Sequence, residues 1–435
     1  MVADRIFRSA SGKLLADQKP RTLHFGMLVD TRGEEIDQVV ASIFRAPHSF
    51  TGEDVVELTC HGSAIVQREA LRAAIDAGAR MAGPGEFTKR AFLAGKLDLV
   101  QAEAVADLIA SNSKAARRVA LSQLKGGFSG RLASLHEQLL KFTSLLELEL
   151  DFPDEDVEFA DRTELNSLMA SIIAEVDRMA ASFRTGDAIR NGVPTVIVGA
   201  PNAGKSTLLN ALVGDDRAIV SDIEGTTRDS IEELATISDT LFRFIDTAGI
   251  RETDDRIESL GIERTMRHIG RAQIVLLLVA PNAAQEAVMY QMRQISGMLD
   301  ATWQHMVVVA TKNDVGHNEW LTDDWVRSHG ASCLVSLSAR SGDGLGRLGD
   351  TLTRIVFGEE RTDEDAMVTN VRHYEALTRA SVSLGRASES LRANLSGELV
   401  AQDLHEALDS LGSIVGKVSS DDVLHSIFQH FCIGK

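Results

Sequence analysis

The period of the hydrophobic positions changes several times along the chain. In residues 1–93 apolar side chains come in short runs of strand length, at 22–29 and at Val55–Thr59. Turn signals such as S-F-T-G-E-D at 49–54 separate them. A helical stretch at 64–77 and a Gly83-Pro84-Gly85 loop complete what reads as a small α+β unit. From 97 to 150 the period becomes helical: Leu97, Val100, Gln101, Ala104, Val105, Leu108 and Ile109 share one face at spacings of three and four. The acidic run L-E-L-E-L-D-F-P-D-E-D-V-E-F-A-D at 145–160, with Pro153, interrupts it, and 165–184 resumes as a helix. Residues 192–355 alternate instead. Apolar runs at 195–198, 241–245, Ile274–Val279, 306–309 and 333–337 are separated by helical segments, the pattern of a parallel, doubly wound sheet. Beyond 356 only helical patterning remains, at 374–395, 398–411 and 423–431. The expected architecture is an α/β domain (191–355) inserted between two helical segments (94–190 and 356–435) that form one all-α domain. A small α+β domain (1–93) precedes them.

Composition narrows the class. The 435 residues are 44% hydrophobic and 25% charged, enough for several packed cores. The net charge of −18 excludes a protein that simply coats nucleic acid, because neutralising phosphates needs Lys and Arg. Residues 80–141 are the exception, with ten Lys/Arg (Lys89, Arg90, Lys114, Arg117, Arg118, Lys125 and Arg131 among them) against five Asp/Glu. That stretch is either a phosphate-contacting patch or a solvated helical face. Cys60, Cys333 and Cys432 are too few and too scattered for a disulfide framework or a zinc site, which suggests a reducing compartment. No apolar run approaches the roughly 20 residues of a membrane span, and the N-terminus lacks a signal-peptide core. A soluble, cytoplasmic protein is expected.

The chemistry concentrates in 191–355. Val196-Ile197-Val198 runs into G-A-P-N-A-G-K-S-T (199–207) and then into the helical L-L-N-A-L-V-G. This is G-x-x-x-x-G-K-[ST] between a strand and a helix, the setting in which backbone N–H groups and a helix N-terminus cradle phosphates. Lys205 would reach the β- and γ-phosphates and Ser206 would ligate Mg²⁺. Asp246-Thr247-Ala248-Gly249 ends an apolar run, where Asp246 can hold Mg²⁺ through water and the Gly249 amide can reach the γ-phosphate. Thr311-Lys312-Asn313-Asp314 follows another run. Asp314 can accept from the N1–H and exocyclic amine of guanine, which adenine does not offer together. Ser338-Ala339-Arg340 follows the last run and can present an amide to guanine O6. Four such elements in order read as an α/β P-loop GTPase of the Ras-like kind. Two positions depart from the common pattern. Thr311 stands where an Asn amide usually braces the base, and Ile250 stands where Ras-like proteins carry a water-orienting Gln. The catalytic group must then come from elsewhere.

P-N-A-G-K-S-T at 201–207, I-E-G-T-T-R-D at 223–229, D-T-A-G-I-R-E at 246–252 and the terminal C-I-G-K at 432–435 together resemble the MnmE (TrmE) family of tRNA-modification GTPases. S-F-T-G-E-D, P-G-E-F at 84–87 and K-L-D-L at 96–99 also match, so the resemblance covers nearly the whole chain. It implies a K⁺-activated, homodimeric GTPase. The GTP-binding residues it implies are Asn202, Ala203, Gly204, Lys205, Ser206 and Thr207, then Ser221, Asp222, Ile223, Glu224, Gly225, Thr226 and Thr227. Asp246 to Gly249, Thr311, Lys312, Asp314, Ser338, Ala339 and Arg340 complete the set. Asn202, with Ser221, Ile223 and Thr226, would hold K⁺, while Ser206 and Thr227 would hold Mg²⁺. Glu258 would position the catalytic water, although on its own it reads as a solvated helix-start Glu. Glu57, Lys96 and Lys435 match contacts to 5-formyl- or methylene-tetrahydrofolate. Family members open with a β-strand and a glycine-rich turn carrying a folate-contacting Arg, and this sequence begins inside that domain. The resemblance further implies a partner, MnmG, which carries FAD, and modification of C5 of the wobble uridine of tRNA. Cys432 is either a nucleophile or acid/base in that modification or a small buried apolar residue. The competing reading is a GTP switch for ribosome assembly like Era or Der, whose members end in a basic RNA-binding domain rather than in C-I-G-K.

Overall fold

A computed structural model describes residues 1–151, 162–214, 232–245, 267–358, 367–393, 395–417, 424, 427–429 and 431. The chain forms two compact units, Met1–Ala106 with Gly412–Lys435, and Asp107–Leu411.

The first unit is built on a four-stranded antiparallel sheet of β1 (Phe7–Ser9), β2 (Leu23–Val29), β3 (Glu35–Phe44) and β4 (Val55–Thr59), in sequence order. Helices α1 (Ala3–Ile6) and α2 (Ala64–Asp76) contribute Ile6 and Ala73 to the core of one face, against Leu28, Val39, Ala41 and Ile43. The inward residues of β3 fall at 39, 41 and 43, the period of two that a half-buried strand requires. Gly26 of β2 admits no side chain, because a Cβ there would lie 2.3 Å from the Arg8 carbonyl oxygen. A second small core joins α3 (Glu86–Leu93) and α4 (Leu99–Ala110) to the C-terminal segment, through Phe92, Leu99, Ala102, Leu424, Phe428 and Phe431.

The second unit holds a six-stranded sheet of order β10-β9-β8-β5-β7-β6. The strands are β5 (Val193–Gly199), β6 (Glu233–Ile237), β7 (Thr240–Phe244), β8 (Ile274–Val279), β9 (His305–Ala310) and β10 (Cys333–Ser336). All neighbours run parallel except β6, which pairs antiparallel with β7 at the edge. Every residue of β8 is buried, as its unbroken I-V-L-L-L-V predicts for a central strand covered on both faces. One face packs on α9 (Lys205–Val213) and the helix Leu345–Phe357, the other on the helix Gln285–Ser296. Among the described residues the other α-helices are α5 (Lys114–Leu124), α6 (Gly127–Asp151), α7 (Arg162–Ala181), α8 (Phe183–Asn191), Asp323–Ser328, Val371–Arg392 and Gly397–Val415. This is the expected architecture of a P-loop-type α/β sheet with flanking helices and an N-terminal α+β unit.

The details differ from the sequence expectation in places. The helical stretch 97–150 is three helices, α4 to α6, and 165–184 is split into α7 and α8. The sequence pattern does not predict strands β1, β3 and β6 or helices α1 and α3. Of the expected helix 423–431, residues 424, 427–429 and 431 are described, and 424, 427 and 428 are helical. No described helix is long and apolar enough to cross a membrane.

Candidate functional site

The nucleotide site grows from the end of β5. Gly199 adopts φ +150, and a Cβ there would lie 2.7 Å from the Leu278 carbonyl oxygen, so only glycine lets the loop leave the sheet this way. Gly204 (φ +93) is the N-cap of α9 and supplies no side-chain cap, which leaves the helix N-terminus to an anionic ligand. The Lys205 ammonium arches back over the loop and donates to the carbonyls of Gly199 (2.8 Å) and Ala200 (3.0 Å). Burial pushes its pKa below the usual lysine value. Thr207 follows in the first turn of α9.

The base side is tied to the phosphate side by one residue. Thr311 is buried, its amide donates to the Val279 carbonyl at 2.9 Å, and its hydroxyl donates to the Ala203 carbonyl at 2.8 Å. The hydroxyl therefore braces the phosphate loop itself. Three residues on, Asp314 meets Ser338: the serine hydroxyl, the Asp314 amide and the charges of Arg340 and Lys312 hold this carboxyl below its usual range. The Ser338 amide donates to Asp343 O at 2.9 Å and Gly342 N donates to Ser338 O at 3.0 Å, closing the turn that carries Ala339 and Arg340. Thus Asn202 to Thr207, Thr311, Lys312, Asp314 and Ser338 to Arg340 gather at the C-terminal ends of β5, β9 and β10, where open parallel sheets bind ligands. Strand β7 runs to the same edge, with Ile245 N donating to Thr195 O at 2.9 Å just before Asp246. Ser221 to Thr227, Asp246 to Gly249 and Glu258 lie outside the described residues.

A second cluster forms in the first unit. Glu86 accepts from both terminal nitrogens of Arg80 (2.6 and 2.8 Å), from Arg90 (2.7 Å) and from the Gly83 amide (2.8 Å). The Arg80 guanidinium and these further donors hold its carboxyl far below the usual range. Arg90 also reaches Glu53 at 2.9 Å, tying S-F-T-G-E-D to P-G-E-F. The Gly52 turn lies against residues 94 and 96: a Cβ on Gly52 would come within 2.9 Å of Ala94 and 3.4 Å of Lys96. Gly85 (φ +61) lies under Phe431 and Phe428. Glu57 sits on β4 opposite Ser42, in the row that begins with Leu23 of β2, on the face of the sheet away from α2. The sequence analysis places Arg90 in the basic stretch 80–141 and Glu86 in P-G-E-F but not their pairing with each other and Arg80, for which the i,i+4 spacing of Glu86 and Arg90 is the signal. Cys432 and Lys435 lie outside the described residues.

Comparison with known proteins gives the family. The family model described as the MnmE helical domain matches residues 99–432, and that of the GTP-binding protein TrmE N-terminus matches residues 1–96. The tRNA modification GTPase MnmE of Parabacteroides distasonis is 50% identical over 444 residues, spanning 100% of this chain and 94% of that protein. The protein of the same name in Bacteroides fragilis is 50% identical over 443 residues, with the same coverage. That of Flavobacterium johnsoniae is 44% identical over 438 residues, covering 100% and 93%. The chain belongs to the MnmE family.

The donor sets fit the ions and the cofactor that an MnmE site implies as far as their residues are described. Ser206 stands in the uncapped first turn of α9, a hard oxygen beside the phosphate cradle, as a Mg²⁺ ligand requires. Asn202 holds φ +62, a backbone state that asparagine tolerates better than most residues, and brings an amide, a hard oxygen donor of the kind K⁺ takes, to the phosphate loop. Glu57 and Lys96 are both exposed, one on β4 and one beside the Gly52 turn, which suits a charged, partly aromatic cofactor held at a surface.

Proposed function

We propose that this GTP hydrolase is activated by K⁺, and that with the FAD-containing partner MnmG it modifies C5 of the wobble uridine of tRNA by a carboxymethylaminomethyl-type addition. The observation that carries the nucleotide part is the bond from the Thr311 hydroxyl to Ala203. It fixes the base-reading loop and the phosphate loop in one register, so guanine on Asp314 and phosphate on the loop are held at a constant span. The loop amides and Lys205 take the β- and γ-phosphates, Asp314 accepts from guanine, and the Ser338 to Arg340 turn presents its amide to O6. When bound, Mg²⁺ at Ser206 and Thr227 and K⁺ at Asn202, Ser221, Ile223 and Thr226 neutralise the charge that develops on the phosphate oxygens. Ile250 cannot orient water, and the MnmE-family pattern gives that task to Glu258. Homodimerisation through the nucleotide domains accompanies hydrolysis.

The one-carbon unit comes from tetrahydrofolate held by Glu57, Lys96 and Lys435, with Cys432 as the thiol of the modification chemistry. The Arg80–Glu86–Arg90 network supports this reading by gathering the matching motifs and the residues leading to Cys432 in one unit. In the assay that tests the GTPase, turnover is much faster in KCl than in NaCl at equal ionic strength. Asn202→Ala removes the difference and leaves nucleotide binding largely intact. Equal rates of the native chain in the two salts would overturn the cation mechanism. Wobble-uridine analysis after incubation with MnmG, tRNA, GTP and folate tests the second half, and Cys432→Ser leaves the uridine unmodified there.

A further inference from the structure

Two stretches of chain join the nucleotide sheet to the helices of its unit. The inbound stretch is α8, which Gly192 (φ +86) turns directly into β5 and so into the phosphate loop. The outbound stretch is the helix Leu345–Phe357, which begins just past Ser338 to Arg340, and the chain is described again from Met367. At the root these stretches are fastened to each other. Val368 N donates to Ser182 Oγ at 3.0 Å, and Gly186 packs so closely that a Cβ would fall 2.1 Å from the Val368 carbonyl oxygen. Both are also fastened to the helices α4 and α5. Arg190 pairs with Asp107 at 2.7 Å and donates to Thr369 O at 3.5 Å. The Gln123 amide donates to Met367 O at 3.0 Å and to Thr369 Oγ1 at 3.2 Å. The Gln123 and Thr369 side chains are buried. The same four side chains line a cavity of about 160 Å³ between α5 and α8.

Such a fastening resists small displacements but fails as a whole. Moving one partner leaves a buried amide or a largely buried carboxylate without its bond, so intermediate positions are costly. The cavity makes a second arrangement cheaper, because the side chains have space to enter instead of a packed wall. Each stretch leads to one half of the nucleotide site, α8 to the phosphate loop and the outbound helix to the base-reading turn. With the fastening closed, Lys205 is bonded to its own loop at Gly199 and Ala200. A phosphate that takes up Lys205 draws it away from those carbonyls, at the end of the strand that Gly192 joins to α8.

We propose that Asp107, Gln123, Arg190 and Thr369 form a polar latch at the root of the nucleotide sheet, and that binding of a guanosine triphosphate opens it. The proposal rests on the nucleotide site described above and adds its coupling to the helical part of the unit. Coupling is reciprocal: if the triphosphate opens the latch, a broken latch tightens binding of the triphosphate by the same factor. This is the opposite of what simple loss of structure would do.

The test uses the full-length chain, a non-hydrolysable GTP analogue with Mg²⁺, hydrogen exchange of residues 183–191 and 367–370, and direct measurement of analogue affinity. In the native chain the analogue accelerates exchange of both segments. Asp107→Asn and Arg190→Met exchange rapidly without it and bind it more tightly, on the order of fivefold or more. Asp107→Glu restores native behaviour. Native exchange that the analogue leaves unchanged would overturn the latch, as would native affinity in both folded variants. Should either variant fail to fold, the exchange experiment on the native chain decides. A native chain that binds no analogue would remove the nucleotide reading as well, whereas binding with an undisturbed root removes the latch alone.

Discussion

Helices α9 and α3 start in the same way and are used in opposite ways. Each has a left-handed glycine as its N-cap, Gly204 at φ +93 and Gly85 at φ +61, and neither has a side-chain cap. At Gly204 the space a side chain would fill is open, with Thr311 the nearest group at 4.0 Å. At Gly85 the same space is taken by Phe431 and Phe428, at 2.9 and 3.1 Å. The first helix therefore keeps its N–H groups and positive dipole end for an outside anion. The second is served by the chain itself, since Glu86 stands in its first turn and accepts from Gly83 N. A glycine before a helix marks a ligand site only where nothing of the protein packs on it.

Placing a β-branched side chain at Gly85 breaks this contrast most severely. Gly85→Val sets a stiff residue at positive φ and drives its Cβ into Phe431, strain and overpacking that together cost about 3–5 kcal/mol. The expected result is a lower unfolding midpoint for the first unit, with loss of uridine modification because the residues leading to Cys432 lose their seat. GTP hydrolysis, in the other unit, keeps its rate. Equal loss of both activities would show that the C-terminal segment does not act separately from the nucleotide site.

The same contrast explains what the sequence made legible. The phosphate loop is built from consecutive backbone groups, so its whole geometry is written in nine adjacent residues and is readable before any fold is known. The Glu86 network joins Arg80, Gly83 and Arg90, its neighbours in sequence, to Glu53, which only the tertiary fold brings to Arg90. Strand β6, E-L-A-T-I, has the composition of a helix, and pairing with β7 decides its state. Strand β3 was hidden by Ala41 and Ser42, poor strand formers that fit because the burial at 39, 41 and 43 alternates correctly. The end of α7 gave no break signal before α8, because Phe183 continues the apolar pattern. Thr311 shows the limit most clearly: the sequence marked it as a departure beside the base, while the fold gives its hydroxyl to the phosphate loop.

That bond supplies the next test. Thr311→Val keeps the shape and removes the hydroxyl, leaving the Ala203 carbonyl without its donor in a buried place. An unmade buried bond costs about 1–3 kcal/mol, or roughly 5–150-fold in affinity for both GTP and GDP. Discrimination between guanine and adenine is unchanged, because Asp314 and Ser338 remain. A Thr311→Val chain that accepts ATP would show that the residue reads the base directly. Thr311→Ser, which keeps the hydroxyl, binds GTP with near-native affinity.

The smallest effect is the pH dependence of the open helix start. A lysine takes phosphate as a cation, and the pKa of Lys205 lies below the usual lysine value because burial disfavours the charged form. The charged lysine is present below that shifted pKa and is lost as pH rises through it, so nucleotide affinity falls on the alkaline side earlier than for an exposed lysine. Titrating GDP affinity between about pH 7 and pH 10 shows a gradual decline that begins before the usual lysine range. Bound phosphate raises the pKa of Lys205 by adding negative charge beside it, so the complex releases its proton only at higher pH. Lys205→Arg keeps the charge across this range and flattens the decline, at lower overall affinity because a planar guanidinium does not fit the space of an ammonium. A decline that persists unchanged in Lys205→Arg would place the titrating group elsewhere in the site, and Gly204 would then owe its anion preference to the helix start alone.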